Sequence, residues 1–355
     1  MLEGEGILLR KSKLQVVAEW GVSLTEFLLT HPSASSLLAQ LRKTPRLLSF
    51  LAGKHSIVLF VFAKLLSPPL TPSRCPPPLL EDRSAKEGGH QMDSSDGCSS
   101  GEHFVVVANT HLYYHPKGDH IRLLQTHIAT LALSAMVEKF KKEMTTKGET
   151  HVRMGTIFCG DFNSSPVNGV CEYFITGKIP ENHSDWSMAA HYETARFAKH
   201  MQSKMEKNMK MSADEALPHK QSKKTVPVGE AEQVKEEEEH GVVADLLSKA
   251  GVLPPSEVFE RTNTSSVPEP FEGVKLEHGF QFFSGCGQPA YTNFTVGFQD
   301  TLDYIFADHT YFSGAEVIPF PSHEEVTANV ALPSYTFPSD HIALVCDLKY
   351  TQQHS

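Results

Sequence analysis

The chain has 355 residues, 32 of them lysine or arginine and 42 aspartate or glutamate, which gives a formal net charge of −10. This acidic balance argues against a protein coated in cations for non-specific duplex binding, but it does not exclude a local basic groove. The 40% hydrophobic content is enough for the core of one large or two ordinary domains. The longest apolar run, residues 57–63, is too short to cross a bilayer. Residues 1–5 carry neither an apolar signal core nor an arginine-rich leader, so the sequence shows no targeting segment.

The first third of the chain predicts strands and helices in alternation. Residues 6–20 have the alternation of two short strands, and Ser23 with Glu26 forms a capping box that opens a first helix. A second helix is expected over Ser36 to Leu51, and a buried strand over 56–63. Six cysteines without C-x-x-C spacing indicate free thiols in a reducing compartment.

Two stretches have compositions that cannot build a core. Residues 67–102 are dense in Pro, Ser, Gly and Asp, and residues 187–275 are rich in lysine and then in glutamate. Both are expected to be disordered insertions in a single domain spanning residues 1–350, followed by a tail at 351–355.

Between and after these stretches the alternation of strands and helices returns. The expected elements are a strand Phe104 to Ala108, a helix from about Asp119 to Lys142, a strand ending at Asp161, a helix opening at Ser165-Pro166, and strands at about 302–307, 313–318 and 342–349. Strands alternating with helices predict an α/β layered domain whose working surface lies at the strand ends.

The segment Gly160-Asp161-Phe162-Asn163 is the most informative motif, because it places a carboxylate and an amide at the end of a buried strand. Such a pair can hold a divalent cation and orient a water, which are the two needs of phosphodiester hydrolysis. The same four residues are also ordinary turn chemistry, since Gly tolerates positive φ and Asp and Asn bond their own backbone.

Three further polar clusters lie at strand ends. They are Asn109-Thr110-His111-Leu112, the acid within Leu302-Asp303-Tyr304-Ile305, and Pro338-Ser339-Asp340-His341. His111 and His115 are four apart, but Pro116 forces an extended conformation there, so a loop histidine is a better prediction than a helical zinc pair. A half-buried Asp303 needs a partner, and His341 is the expected one, with the adjacent Asp340 pointing the other way toward a metal. Taken singly, each cluster is also typical of a capping or turn residue.

Together the four clusters, in this order, resemble the endonuclease/exonuclease/phosphatase superfamily. The run Thr110-His111-Leu112-Tyr113-Tyr114-His115-Pro116-Lys117-Gly118, with Ile121-Arg122-Leu123 and Ala290-Tyr291-Thr292-Asn293, is similar to its deadenylase branch. The resemblance implies a four-layer α/β sandwich, in which two mixed β-sheets are flanked by helices as in DNase I. It covers roughly residues 1–66, 103–186 and 278–350.

The resemblance also implies roles for the residues. Asp161 and Asn163 would position the attacking water and hold Mg²⁺ or phosphate, with Asp340 as a further metal ligand. His341, oriented by Asp303, would stabilise the charge on phosphorus together with His111. Pro116 and Phe298 match the pair that sandwiches the terminal adenine in the deadenylase branch, although they could also simply end a loop and fill a core.

One family feature is missing from the sequence. The superfamily's magnesium-binding glutamate, at the end of an early strand, has no counterpart, and Glu3, Glu5, Glu19 and Glu26 lack the neighbours to replace it. The resemblance therefore implies a domain without its first strands. The loss of one magnesium ligand would cost rate by orders of magnitude.

Two functions of different class follow from this resemblance. The first is a Mg²⁺-dependent phosphodiesterase and 3′ exoribonuclease that releases AMP from 2′,5′-oligoadenylate and poly(A) ends. The second is a catalytically impaired fragment that binds adenylate or RNA. An inositol-phosphate or lipid phosphodiesterase is a rival within the superfamily, which the Pro116 and Phe298 pair disfavours. Single-stranded RNA or oligoadenylate is the expected partner, with no membrane and no stable protein partner, and the resemblance implies a mitochondrial location, with the cytoplasm as alternative.

Overall fold

A sheet of six strands forms the centre of the fold, and the computed structural model describes residues 5–66, 102–148, 152–189, 245–252, 271 and 273–351. The strands are β1 (Leu14–Ser23), β2 (Ile57–Leu65), β3 (Glu102–His111), β4 (Val152–Asp161), β5 (Lys178–Ile179), β6 (Leu276–Glu277), β7 (Phe282–Ser284), β8 (Asn293–Phe294), β9 (Gln299–Asp300), β10 (Asp303–Asp308), β11 (Phe312–Val317) and β12 (Cys346–Tyr350). The helices are α1 (Leu24–Thr30), α2 (Ser35–Leu41), α3 (Pro45–Ala52), α4 (Asp119–Thr146), α5 (Gly169–Thr176) and α6 (His323–Thr327).

The order of the strands in the central sheet is β1-β2-β3-β4-β10-β7. Only β3 and β4 run parallel to each other, and the remaining neighbours are antiparallel. The carboxyl ends of β3 and β4 therefore meet the amino end of β10 at one edge of the sheet.

The two faces of the sheet are covered differently. On β3, Phe104 and Val106 are at most 1% exposed and belong to a large core with α1 to α5. The burial of each side chain stabilises the fold by about 1.5–3 kcal/mol. The intervening Val105 packs with Ala307 and Phe312 beneath β11 and β12. The alternation of apolar residues on both faces is what a sheet covered on both sides requires.

The predicted α/β fold with two sheets and helices is confirmed in this arrangement. In the described residues the second sheet is the antiparallel pair β11 and β12. It is therefore not the mixed sheet that the resemblance implied.

Several predicted bounds were wrong for local reasons. The helix expected over Ser36 to Leu51 is two helices, because Pro45 lacks the N–H needed to continue α2 and starts α3 instead. Residues 6–20 hold one strand rather than two, since a turn at 11–13 precedes β1. Pro166 lies in a turn, and α5 begins at Gly169. His111 is the last residue of β3 and not a loop residue, because it pairs with Asp161.

The two low-complexity stretches lie mainly outside the described residues, which exclude 67–101 and much of 187–275. The second stretch is not uniformly without structure, however. Residues 245–249 are helical, and Leu247 and Val252 are buried in the large core, because the run of apolar residues around Leu247 supplies a packing face. The expected disorder therefore does not extend to these residues, while the expectation of an insertion over 187–275 stays a prediction.

Two other sequence predictions can be compared with the described part of the chain. The cysteines within it are free thiols, as expected, and are Cys159, Cys171, Cys286 and Cys346. Every helix in the described ranges is too short or too polar for a bilayer span.

Candidate active site

Three of the predicted site residues form one row across neighbouring strands. His111 at the end of β3 pairs with Asp161 at the end of β4, and Asp161 pairs with Asp303 at the start of β10. Residues directly opposite each other on one face of a sheet have Cβ atoms about 5 Å apart. The pairing therefore brings the three side chains together at one sheet edge, and His111 Nε2 lies 3.4 Å from Asp161 Oδ2.

The backbone around Asp161 explains the glycine and the phenylalanine of the motif. Gly160 has φ of +145°, and a Cβ there would lie 1.9 Å from the carbonyl oxygen of Thr110 on β3. Phe162 is fully buried against Phe158 and Phe174. This ring anchors the segment in the core while the residues on either side of it face the cleft.

Asp161 and Asn163 also make the turn that the sequence predicted as an alternative. Asp161 Oδ1 accepts the backbone N–H of Asn163 at 2.8 Å, and Asn163 has the left-handed φ of +49° that asparagine tolerates. The amide Nδ2 of Asn163 donates to the carbonyl of Leu112 at 2.9 Å. Turn and site are thus the same structure, since one carboxylate oxygen closes the turn and the other faces the histidines.

His341 completes the group from a distant part of the chain. Its Nδ1 donates to Asp303 Oδ2 at 2.7 Å, so the predicted pair is formed. Its Nε2 then faces Asp161 Oδ2 at 3.9 Å and Asp340 Oδ2 at 4.0 Å. A backbone β-bridge between His341 and Asn293 holds the segment around His341 against β8.

The electrostatics of the group are those of partly buried, interacting charges. Burial raises the pKa of Asp161, the charge of Asp303 raises it further, and the N–H of Asn163 and the two imidazoles oppose the shift. The hydrogen bond that His341 donates to Asp303 raises the pKa of His341 to about 8, against the opposing effect of burial. The pKa of about 8 makes His341 predominantly protonated near neutral pH.

The residues that could hold a metal ion converge in the same place. Ligand atoms of Asp161, Asp303 and His341 lie within 4.8 Å of one another. Asp340, half exposed, adds a carboxylate whose Oδ2 accepts Nδ2 of Asn293 at 3.1 Å. Asp303 was predicted only to orient His341, but its position makes it a candidate oxygen ligand as well.

All the predicted site residues line one cleft of about 760 Å³, namely His111, Asp161, Asn163, Asp303, Asp340, His341, Pro116 and Phe298. Phe298 is 49% exposed, so the prediction that it faces the cleft agrees better with the structure than a core position does. Arg122, Asp119 and Asn168 line the same cleft.

Some residues that shape the cleft were missed by the sequence analysis. The hydroxyl of the buried Thr292 accepts the N–H groups of Leu302 and Asp303 at 2.8 and 3.0 Å, which fixes the start of β10. Glu5, which was set aside, accepts the N–H of His111 at 3.3 Å. Thr292 belongs to the Ala290-Tyr291-Thr292-Asn293 run that carries the resemblance, but neither Thr292 nor Glu5 has a sequence pattern that predicts these contacts.

Comparison with known proteins gives a consistent set of relatives. No family model matches the chain. It is 28% identical to 2′,5′-phosphodiesterase 12 of Rattus norvegicus and 29% identical to that of Homo sapiens, in each case over 98% of this chain and 38% of the relative. The chain thus spans well under half the length of these relatives. It is also 21% identical, over 70% of its length, to the 3′-5′-exoribonuclease subunit Ccr4 of the CCR4-Not complex of Yarrowia lipolytica, of which it covers 26%.

Solved structures with a looser likeness include ANGEL2, a 2′,3′-cyclic phosphatase, in complex with adenosine-2′,3′-vanadate. Its TM-score is 0.43 at 16% identity, over 95% of this chain and 68% of that one. The relatives identified by sequence agree with the resemblance carried by the four clusters, since the chain is similar to 2′,5′-phosphodiesterase 12 and to a 3′-5′-exoribonuclease subunit of the CCR4-Not complex.

Proposed function

We propose that the chain is a Mg²⁺-dependent phosphodiesterase that removes AMP from the 3′ ends of single-stranded adenylate, both 2′,5′-oligoadenylate and poly(A). The observation that carries the proposal is the row of His111, Asp161 and Asp303, with His341 closing it, at the floor of one cleft. The homology to phosphodiesterases and exoribonucleases gives the reaction class.

The donor set fits a hard divalent cation. Mg²⁺ prefers carboxylate and amide oxygens, and Asp161, Asn163 and Asp340 present such groups to the cleft, with Asp303 beside them. Burial and the mutual repulsion of the carboxylates raise the pKa of Asp161, so a cation in the cleft would relieve an unfavourable concentration of negative charge. When bound, Mg²⁺ would supply Lewis-acid polarisation of the phosphoryl oxygens.

The side chains themselves can carry the proton transfer and the charge stabilisation. The raised pKa of Asp161 makes its carboxylate more basic than an ordinary aspartate, so Oδ2 suits the abstraction of a proton from an attacking water. His341, with Nδ1 bound to Asp303, presents Nε2–H to the cleft as a donor to a phosphoryl oxygen. His111 Nε2 flanks Asp161 on the other side and serves the same developing charge.

The proposal of a single-stranded adenylate substrate is based on two side chains of the cleft, Pro116 and Phe298. Pro116 and Phe298 both line it and both are exposed, as expected for surfaces that stack on a base. Stacking on an apolar and an aromatic side chain is a common way to hold a single-stranded RNA end. An inositol headgroup has no flat ring to use these surfaces.

The test is the release of AMP by this chain. With oligoadenylate and Mg²⁺, Asp161→Asn should lower the rate about 100-fold or more, because the amide cannot accept the proton of water. Asp245→Asn is the matched control, since Asp245 is exposed, forms a salt bridge with Lys249 and is not among the residues that line the cleft. Chelation by EDTA should stop AMP release, and added Mg²⁺ should restore it.

Two results would overturn the proposal. Undiminished AMP release by the Asp161→Asn variant would show that this cleft is not the active site for the reaction. Tight binding of oligoadenylate that is insensitive to Mg²⁺, without any AMP release by the parent chain, would establish the adenylate-binding module instead. Faster cleavage of a phosphoinositide headgroup than of oligoadenylate would identify the rival substrate class.

A further inference from the structure

The end of the cleft away from the histidines contains a carboxylate that the proposed chemistry does not use. Asp119, the first residue of α4, lines the cleft with its side chain 24% exposed. One oxygen, Oδ1, accepts both Nη2 of Arg122 and Nδ2 of Asn168, the latter at 2.6 Å. The carboxylate is therefore held in one orientation from two sides.

Arg122 ties this carboxylate to the loop that carries Pro116. The guanidinium is 3% exposed and donates Nη1 to the carbonyls of Tyr113 and His115, at 3.1 and 2.7 Å, and Nε to Ser164 Oγ at 3.2 Å. Since one guanidinium binds both the carbonyl of His115 and the carboxylate of Asp119, the two acceptors lie within about 6 Å of each other. Pro116 follows directly, so Asp119 lies beside the proposed stacking surface.

Two oxygen atoms at this point of the cleft are acceptors without a partner in the described part of the chain. Asp119 Oδ2 and Asn168 Oδ1 accept no hydrogen bond from the described residues, whereas Asp119 Oδ1 accepts one hydrogen from Nδ2 of Asn168 and one from Nη2 of Arg122. Because its other oxygen is held from two sides, the carboxylate presents Oδ2 in a fixed orientation to a ligand N–H in the cleft.

We propose that Asp119 Oδ2, assisted by Asn168 Oδ1, reads the Watson–Crick edge of the 3′-terminal base by accepting hydrogen bonds from the exocyclic amine of adenine. This inference rests on the proposed function, which places that base between Pro116 and Phe298. Two adjacent acceptors match the two hydrogens of an amine and repel the carbonyl oxygen of a 6-oxopurine. Stacking alone would not distinguish these bases, because every base offers a flat face.

The substitution Asp119→Asn converts this acceptor into a donor without changing its shape. The two donors that hold Oδ1 can be satisfied only by the amide oxygen of the new side chain, so the amide NH₂ must take the place of Oδ2. The variant should then favour a carbonyl at position 6 of the purine.

The experiment compares oligoadenylates that end in adenosine or in inosine and are otherwise identical. The parent chain should release the terminal nucleotide from the adenosine substrate with kcat/KM about tenfold or more above that for inosine, and Asp119→Asn should reverse the order. Glu138→Gln, on the exposed side of the same helix, should keep the parent ratio. The same ratios measured as binding constants in EDTA test the inference without any turnover.

The outcomes separate the two proposals. Equal losses for both substrates in Asp119→Asn would show that Asp119 only clamps the loop, and would overturn the inference while leaving the proposed function intact. No nucleotide release by the parent chain, together with an adenosine preference in binding that reverses in the variant, would overturn the proposed function and support the reading of the base edge.

Discussion

The pair of Asp303 and His341 permits a prediction with a magnitude and a sign. The substitution Asp303→Asn removes the charge that holds the His341 imidazolium, while leaving a side chain of the same shape. Because the hydrogen bond with Asp303 raises the pKa of His341 from 6.5 to about 8, the pKa should return close to 6.5 in the variant. At about 1.4 kcal/mol for each pKa unit, the pair favours the protonated imidazole by about 2 kcal/mol.

The pH dependence of stability follows from the direction of this shift. A group whose folded pKa lies above its unfolded value stabilises the fold below the unfolded pKa, and loses that contribution as the pH rises through the folded pKa. The stability difference between the parent chain and Asp303→Asn should therefore be largest below pH 6.5 and shrink by about 2 kcal/mol once the pH exceeds 8.

The assay is an NMR titration of the imidazole Cε1–H resonances in EDTA, so that no metal competes for the histidine, with His341→Asn used to assign the resonance. Urea unfolding at about pH 6 and pH 9 gives the two stability differences independently. A His341 pKa that moves by less than about half a unit in the variant would refute the reasoning, since Asp303 would then not be its dominant partner.

Three further predictions address the residues around the site. Gly160→Ala should destabilise the chain by about 2 kcal/mol or more in urea unfolding, because the new Cβ would meet the carbonyl of Thr110, whereas Gly21→Ala, with open space around it, should change stability by less than about 1 kcal/mol. Arg122→Lys should raise KM for oligoadenylate more than it lowers kcat, because a point charge cannot hold both the Tyr113–Pro116 loop and Asp119; unchanged KM would show that the clamp is unnecessary. Phe162→Leu should lower kcat together with unfolding stability, by about 1–2 kcal/mol in the latter, and a loss of stability with full activity would separate the ring from the site.

The sequence predicts the parts of the site whose determinants are local. Asp161 and Asp303 are polar residues at the ends of apolar runs, so their position at a strand end could be read directly, and the need of a half-buried acid for a partner led to His341. The extension of β3 through His111 could not be read in this way, because it depends on hydrogen bonds to a strand about 50 residues later in the sequence.

Other parts depend on contacts that leave no pattern in the sequence. Asp119 and Asn168 are 49 residues apart, and each is an ordinary polar residue near the start of a helix. Only the common approach of α4 and the turn before α5 brings them into their direct hydrogen bond. Conversely, the break between α2 and α3 at Pro45 was present in the sequence, but the surrounding leucines made a single helix the simpler interpretation.

The burial of Phe162 has a consequence for how the protein would lose activity. The backbone on either side of the ring is bonded into the sheet, through Leu112 N–H to the carbonyl of Asp161 and Phe162 N–H to the carbonyl of Leu302, both at 2.9 Å. Backbone that is fixed in this way opens only when the surrounding core opens. The amide hydrogens of Leu112 and Phe162 should therefore exchange with solvent at the rate of global unfolding. Heat or denaturant would then abolish activity at the midpoint of unfolding and not before it, in contrast to enzymes whose active-site loops melt first.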